Sequence, residues 1–224
     1  MKILNHKQGT DEWLAARVGL PTASRFSEIV TPKTTKPSSS QDAFIAYLTA
    51  EWFLGRPLDD FSSGFTERGT ELEAEAAAWY AFQQDADVRE VGLCLTDDGK
   101  VGASPDRLVN ADGLLECKCP GAAKHMENYL DPEAFEADHW CQVQGQLWVT
   151  GRAWVDLVSF NPKIPNVIVR VKPDAKFQAA LSEHIPAFVA KLDAAKERLA
   201  VDRAAYLETL RTVDPDDDVF ATLG

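Results

Sequence analysis

No apolar run in this 224-residue chain approaches the roughly 20 residues that a membrane-spanning helix requires. The opening residues, Met1 to Gln8, lack the pattern of a secretory signal, so a cytoplasmic protein with no membrane partner is the expectation. Cysteine is sparse. Cys117 and Cys119 are separated by one residue, as are His139 and Cys141, while Cys94 stands alone. Zinc knuckles need a gap of two or more residues, so these thiols read as reduced, small core residues rather than ligands of zinc or an iron–sulfur cluster. Basic charge is also in short supply, for the net charge is −12. That excludes an outer surface that coats a polyanion loosely. The first forty residues are the exception, with six basic and three acidic side chains; the rest of the chain carries −15, including Asp214 and Asp216 to Asp218 near the tail. An acidic exterior with a basic lining is compatible with a polyanion held in an internal groove. Internal repeats and breaks in composition are absent, so one domain over residues 1–224 is expected, ending in a helical segment at about 173–211.

The order of elements follows from periodicity and breakers. A helix is expected over Asp11–Arg17 with Thr10 as its cap, and a shorter one over Ala23–Ile29. Thr31–Ser40 reads as a loop by composition. Gln41–Leu54 spaces Phe44, Tyr47, Leu48 and Trp52 for one buried face, and Thr66–Gln84 is an Ala- and Glu-rich helix. Strands follow at Val88–Leu95, Lys100–Ala103, Arg107–Val109 and Leu114–Cys119. A helix is expected over about Asp138–Val149, then strands at Ala153–Phe160 and Asn166–Val171. Lys176–Leu210 reads as one long helix or two broken near Pro186. This order fits an α/β (α+β) fold, a mixed central sheet flanked by helices.

The chemistry concentrates in one hairpin. Pro105-Asp106 precedes Glu116-Cys117-Lys118 by ten residues, with Asp112-Gly113 as a turn signal between them. Alternation along the second strand puts Glu116 and Lys118 on one face and Leu115, Cys117 and Cys119 on the other. Two carboxylates and a lysine in this arrangement suit a divalent metal and an attacking water. A surface ion pair between Glu116 and Lys118 is the simpler reading of the same residues.

Pro105, Asp106, Glu116 and Lys118 fill every position of the PD-(D/E)xK nuclease pattern. Three further segments, Gln8–Trp13 leading to Arg17–Ser24, Arg68–Glu73, and Gln142–Gln144 leading to Thr150, come in the order and spacing of one group within it. From about residue 8 to about residue 172 the chain resembles the phage λ exonuclease group, the YqaJ-like viral recombinase family.

The resemblance implies a restriction-endonuclease-like core and assigns roles. Asp106, Glu116 and the backbone carbonyl of Cys117 would bind Mg²⁺, with Glu73, favoured over Glu71 and Glu75, helping to hold a second ion; Mn²⁺ is a candidate substitute. Lys118 would orient or help deprotonate the water. Arg17, Ser24 and Ser104 would hold a 5′-phosphate. One of Gln142 and Gln144 would face the site, with Gln144 favoured. Trp13, Trp140 and Trp148 read as core. His125 and His139 receive no role, and neither does Arg107, which stands where these nucleases often carry glycine. The implied activity is 5′→3′ digestion of one strand of linear double-stranded DNA to mononucleotides, leaving 3′ overhangs for recombination by strand annealing. The implied assembly is a ring-shaped homotrimer that passes the tail to a single-strand annealing protein, in the host cytoplasm if the chain is phage-encoded. An endonuclease on the same fold and a non-catalytic DNA-end-binding protein are the alternatives.

Overall fold

A computed structural model of the chain describes residues 1–58 and 67–212, with side chains given for 1–58 and 71–209. The expected Thr66, the side chain of Arg68 and the acidic tail lie outside the described residues. Five strands form a mixed sheet in the order β2 (Val88–Glu90), β5 (Arg107–Val109), β6 (Gly113–Lys118), β7 (Trp154–Ser159) and β8 (Val167–Val171). Among the described strands of this sheet, β6 and β7 alone pair in parallel, because the helices α4 (Ala122–Leu130) and α5 (Pro132–Thr150) form the crossover that a parallel pair requires. A second, antiparallel sheet joins β1 (Lys2–Leu4), β3 (Leu93–Leu95) and β4 (Gly102–Ala103). Among the described residues no helix is long and apolar enough to cross a membrane.

The two faces of the sheet bury different partners. Leu114, Val155 and Leu157 pack toward α5, beside the short 3₁₀ segment Ala23–Glu28 and the helix α6 (Ala175–Arg198). Leu115, Cys117 and Val158 pack against Ala76, Ala77 and Tyr80 of α3 (Glu67–Gln84). The period-two alternation of β6 therefore sorts its side chains as the sequence predicts. Helices α1 (Asp11–Arg17) and α2 (Gln41–Leu54) keep their expected bounds, Thr10 caps α1, and Phe44 of α2 stacks on Phe188 of α6 at 5.4 Å.

Four expectations change. The stretch Val88–Leu95 is two strands in different sheets, divided at Gly92, where a Cβ would sit 2.2 Å from the Leu4 carbonyl oxygen and 2.4 Å from that of His6. The bare Gly92 backbone lets the chain after β1 cross close by. In the β5–β6 hairpin the left-handed residue is Asn110, with φ 48°, while Gly113 lies in β6 beneath the ring of Trp154, whose atoms stand 2.1 Å from where a Cβ would be. Helix α4 and the first turns of α5 are additions. Finally, Pro186 stays inside α6 and the chain turns at Leu199 before α7 (Ala200–Thr212). Pro186 is exposed, while Leu181, Ile185, Phe188 and Leu192 are buried, and that packing outweighs the roughly 3 kcal/mol an interior proline costs.

Candidate active site

Strand β6 carries the centre of the site. Glu116, only 3% exposed, points to the α5 side, and three side chains converge on it. Lys118 Nζ donates to Glu116 Oε1 at 2.8 Å, Gln142 Nε2 to the same oxygen at 2.6 Å, and Gln146 Nε2 to Oε2 at 2.6 Å. Lys118 also donates to Gln142 Oε1 at 3.2 Å. Asp106 approaches from the start of β5, where its Oδ2 accepts from the Cys117 amide at 2.6 Å. The segment before it is anchored by Gln8, whose Nε2 donates to the Pro105 carbonyl at 2.9 Å and the Val91 carbonyl at 3.0 Å.

The charges are unbalanced. Burial pushes the Asp106 carboxyl well above the usual carboxylate range, and the charges of Glu116 and Glu73 push it further. Glu73, half-buried on α3, is raised by burial and by Glu116, against the pull of Lys118 and Arg107. Burial alone would lower the Lys118 ammonium, but Glu116, Asp106 and Glu73 outweigh it and hold Lys118 above its ordinary value. Lys118 therefore stays charged near neutrality. Asp106, Glu116 and Glu73 thus share one electrostatic neighbourhood, but among the described residues no three acidic, imidazole or thiol groups converge on a single coordination point. All four cysteines are free; the thiols of Cys94, Cys117, Cys119 and Cys141 are raised chiefly by burial, as befits inert core residues.

Gln144 is a correction. It is fully buried on the other side of α5, where Nε2 donates to the Lys172 carbonyl at 2.8 Å and Oε1 accepts from the Asp174 amide at 3.0 Å. Residues two apart diverge on a helix, so the phase that brings Gln142 and Gln146 to Glu116 sends Gln144 to the β8–α6 corner.

Arg17, Ser24 and Ser104 meet at a second place. Arg17 Nη1 donates to Ser104 Oγ at 2.9 Å and Nη2 to Thr22 Oγ1 at 3.3 Å, and Thr22 Oγ1 lies 3.3 Å from Ser24 Oγ. The guanidinium sits 4.3 Å from the Trp13 ring centroid; burial lowers it to about 10, opposed by Glu51, so it remains a cation at neutral pH. Arg17, Thr22, Ser24, Arg25, Tyr47 and Glu51 border a recess of about 120 Å³. Thr22 escaped the sequence reading because its role depends on Arg17 folding back across five residues.

His139 also faces the site, one turn before Gln142. Burial and the Lys118 charge lower it from 6.5 to about 4. Because the folded value lies below the unfolded one, the unfolded state binds more protons between these pH values, and stability falls as pH drops through that window. The His139 ring should titrate with a midpoint near 4 by NMR, and His139→Gln should reduce the loss of melting temperature between pH 6.5 and 4. A midpoint near 6.5 would contradict the burial.

A family model described as the YqaJ-like viral recombinase domain matches residues 12–153. Among solved structures, an alkaline exonuclease from Laribacter hongkongensis is 33% identical, with a TM-score of 0.74 over 88% of this chain and 100% of its own; a second structure of it holds dAMP, with the same identity, score and coverage. A phage-related exonuclease from Haemophilus somnus 129PT, 12% identical with a TM-score of 0.55 over 90% of this chain and 97% of its own, shares the fold. No curated protein matches significantly. With more than half its length matched, the chain belongs to the YqaJ-like viral recombinase family.

Proposed function

We propose that this chain is a Mg²⁺-dependent 5′→3′ exonuclease that digests one strand of linear duplex DNA to 5′-mononucleotides and leaves a 3′ single-stranded overhang. The observation that carries this reading is the adjacency of two devices: Ser104 turns its hydroxyl to Arg17, and Asp106, two residues on, joins Glu116 and Lys118. One device suits an anionic strand end and the other suits phosphodiester hydrolysis. The 33%-identical relative is an alkaline exonuclease and has been captured with dAMP, a nucleotide of the kind such a reaction releases.

The donor chemistry fits a hard divalent cation, since Asp106 and Glu73 are raised by burial and by carboxylates around them. Asp106, Glu116 and the Cys117 carbonyl would hold it, with Glu73 flanking a second ion. When bound, such a cation neutralises charge on the phosphate and makes water a better nucleophile at neutral pH. Lys118, as an ammonium, steadies negative charge developing on the phosphate and orients the attacking water. Gln142 and Gln146 hold Glu116 in one rotamer. Arg17, with Ser24 and Ser104, seats the 5′-terminal phosphate and so selects ends. By family membership we extend to this chain a homotrimeric ring around DNA and delivery of the 3′ tail to a single-strand annealing protein.

The test compares linear duplexes with and without a 5′-phosphate, and closed circles, in Mg²⁺. Wild type should release mononucleotides about tenfold faster from phosphorylated ends, the weight of about 1.4 kcal/mol. Arg17→Ala should shrink that preference to less than about twofold. Cutting of circles would replace this reading with an endonuclease, and no hydrolysis of any DNA would overturn it.

A further inference from the structure

Arg107 follows Asp106 and acts on Glu73 by charge, but hydrogen-bonds to none of the carboxylates at the centre. Its Nη1 donates to the Asp106 carbonyl at 2.7 Å, and its Nη2 stands 3.8 Å from Glu90, a carboxylate whose side chain is 76% exposed. The first contact fixes the guanidinium beside the site; the second is a loose surface pair that contributes little. Arg107 therefore has donors to spare.

Arg107 lines a groove of about 430 Å³, a size typical of ligand clefts. Three stretches of chain line it: Asn5 to Gln8, Glu90 to Gly92, and Asp106 with Arg107, together with Glu73 of α3. The segment Asn5 to Gln8 is built for this place. Gly92 admits the backbone of His6, and Gln8 ties the segment to Val91 and Pro105. Lys7 is thereby held at the rim, exposed, and among the described residues no carboxylate lies within ion-pair distance of it. Three carboxylates, Asp106, Glu73 and Glu90, share the groove with Lys7 and Arg107.

We propose that this groove binds the phosphodiester backbone of the substrate strand next to the bond held at Asp106, with Lys7 and Arg107 as its phosphate contacts. The inference rests on the nuclease reading. A strand cut at Asp106 must continue past it, and the recess at Arg17 accounts only for its end. The groove is lined by Asp106 and by two cations, Lys7 and Arg107, in a chain whose net charge of −12 leaves few places where phosphates are welcome. Asn5 and His6 also line the groove, while the Gln8 amide is spent on Val91 and Pro105; contacts from Lys7 and Arg107 to phosphates are contacts to backbone and carry no sequence preference of their own.

Binding of full-length protein to a 5′-phosphorylated linear duplex, followed by fluorescence anisotropy in EDTA at several salt concentrations, tests this. Lys7→Ala and Arg107→Gln should each weaken Kd about three- to tenfold and reduce the slope of log K against log salt by about 0.7 to 0.9. Lys176→Ala, an exposed cation on α6, is the charge-matched control and should match wild type. If Arg107→Gln misfolds, the exposed Lys7 variant still decides. Groove variants that bind with the wild-type Kd and slope, while wild type digests the duplex, would overturn the groove alone. A wild type that neither binds nor cuts DNA would overturn both readings.

Discussion

Asp106→Asn should lower kcat by about 1000-fold, the upper range for removing one preorganised electrostatic group from a catalytic centre, and raise the melting temperature in EDTA by a few degrees. Both effects come from one carboxylate. Asp106 is raised first by burial and then by Glu116 and Glu73, so its folded value exceeds its unfolded one. The folded state then binds more protons, and stability falls as pH rises through and beyond the ordinary carboxylate range. Near neutrality an ionised Asp106 opposes folding. Asparagine removes the charge and keeps an oxygen for the Cys117 amide. If Mg²⁺ is held as proposed, the order should reverse in excess Mg²⁺, because only the wild type would gain stability from the ion. Calorimetry in EDTA and in Mg²⁺, beside single-turnover digestion, reads both. A variant that retains more than a tenth of wild-type activity, or that melts well below wild type in EDTA, would remove Asp106 from the centre.

The site was legible where local rules decide it. Alternation alone placed Glu116 and Lys118 opposite Leu115 and Cys117, because a strand has a period of two whatever surrounds it. Where long-range contacts decide, the sequence was silent. Gln144 and Gln146 are the same residue type on one helix. What separates them is the Lys172 carbonyl and the Asp174 amide at a corner thirty residues away, which take Gln144 out of contention. Helix α4 was missed for a related reason. Its inward residues, His125 and Asn128, are polar, and they are buried only because Ser159 and the Pro165 carbonyl partner them across the crossover. The apparent strand over Val88–Leu95 had the right composition for one element. Gly92 divides it, and the reason for that glycine is the backbone of Leu4 and His6, far earlier in the chain.

The same long-range logic gives the site its stiffness. Glu116 is nearly inaccessible, and each oxygen has its own donor set: Lys118 and Gln142 on one, Gln146 on the other. Gln146 is itself 1% exposed, and its Oε1 has no hydrogen-bond partner among the described residues. An orphaned buried acceptor costs about 1–3 kcal/mol, which offsets part of what this glutamine contributes to stability. Gln146→Leu removes the orphan and also a charge-assisted hydrogen bond worth about 1.5–3 kcal/mol, two changes of opposite sign and similar size. The substitution also leaves the buried Glu116 Oε2 without its donor, so net stability should fall by about 1–3 kcal/mol. Activity has no such compensation. With Oε2 released, Glu116 is free to rotate about its remaining contacts, and kcat and divalent-metal affinity should fall by about 10- to 100-fold, the usual effect of losing a residue that orients a ligand. Gln146→Glu separates charge from shape. It keeps the volume but sets a second carboxylate against Glu116, and should lose stability as well as activity. Metal titrations by calorimetry beside thermal melts distinguish the outcomes. A Gln146→Leu protein with wild-type metal affinity and turnover would mean that Lys118 and Gln142 alone hold Glu116, and would leave the unpaired oxygen of Gln146 without a function to justify it.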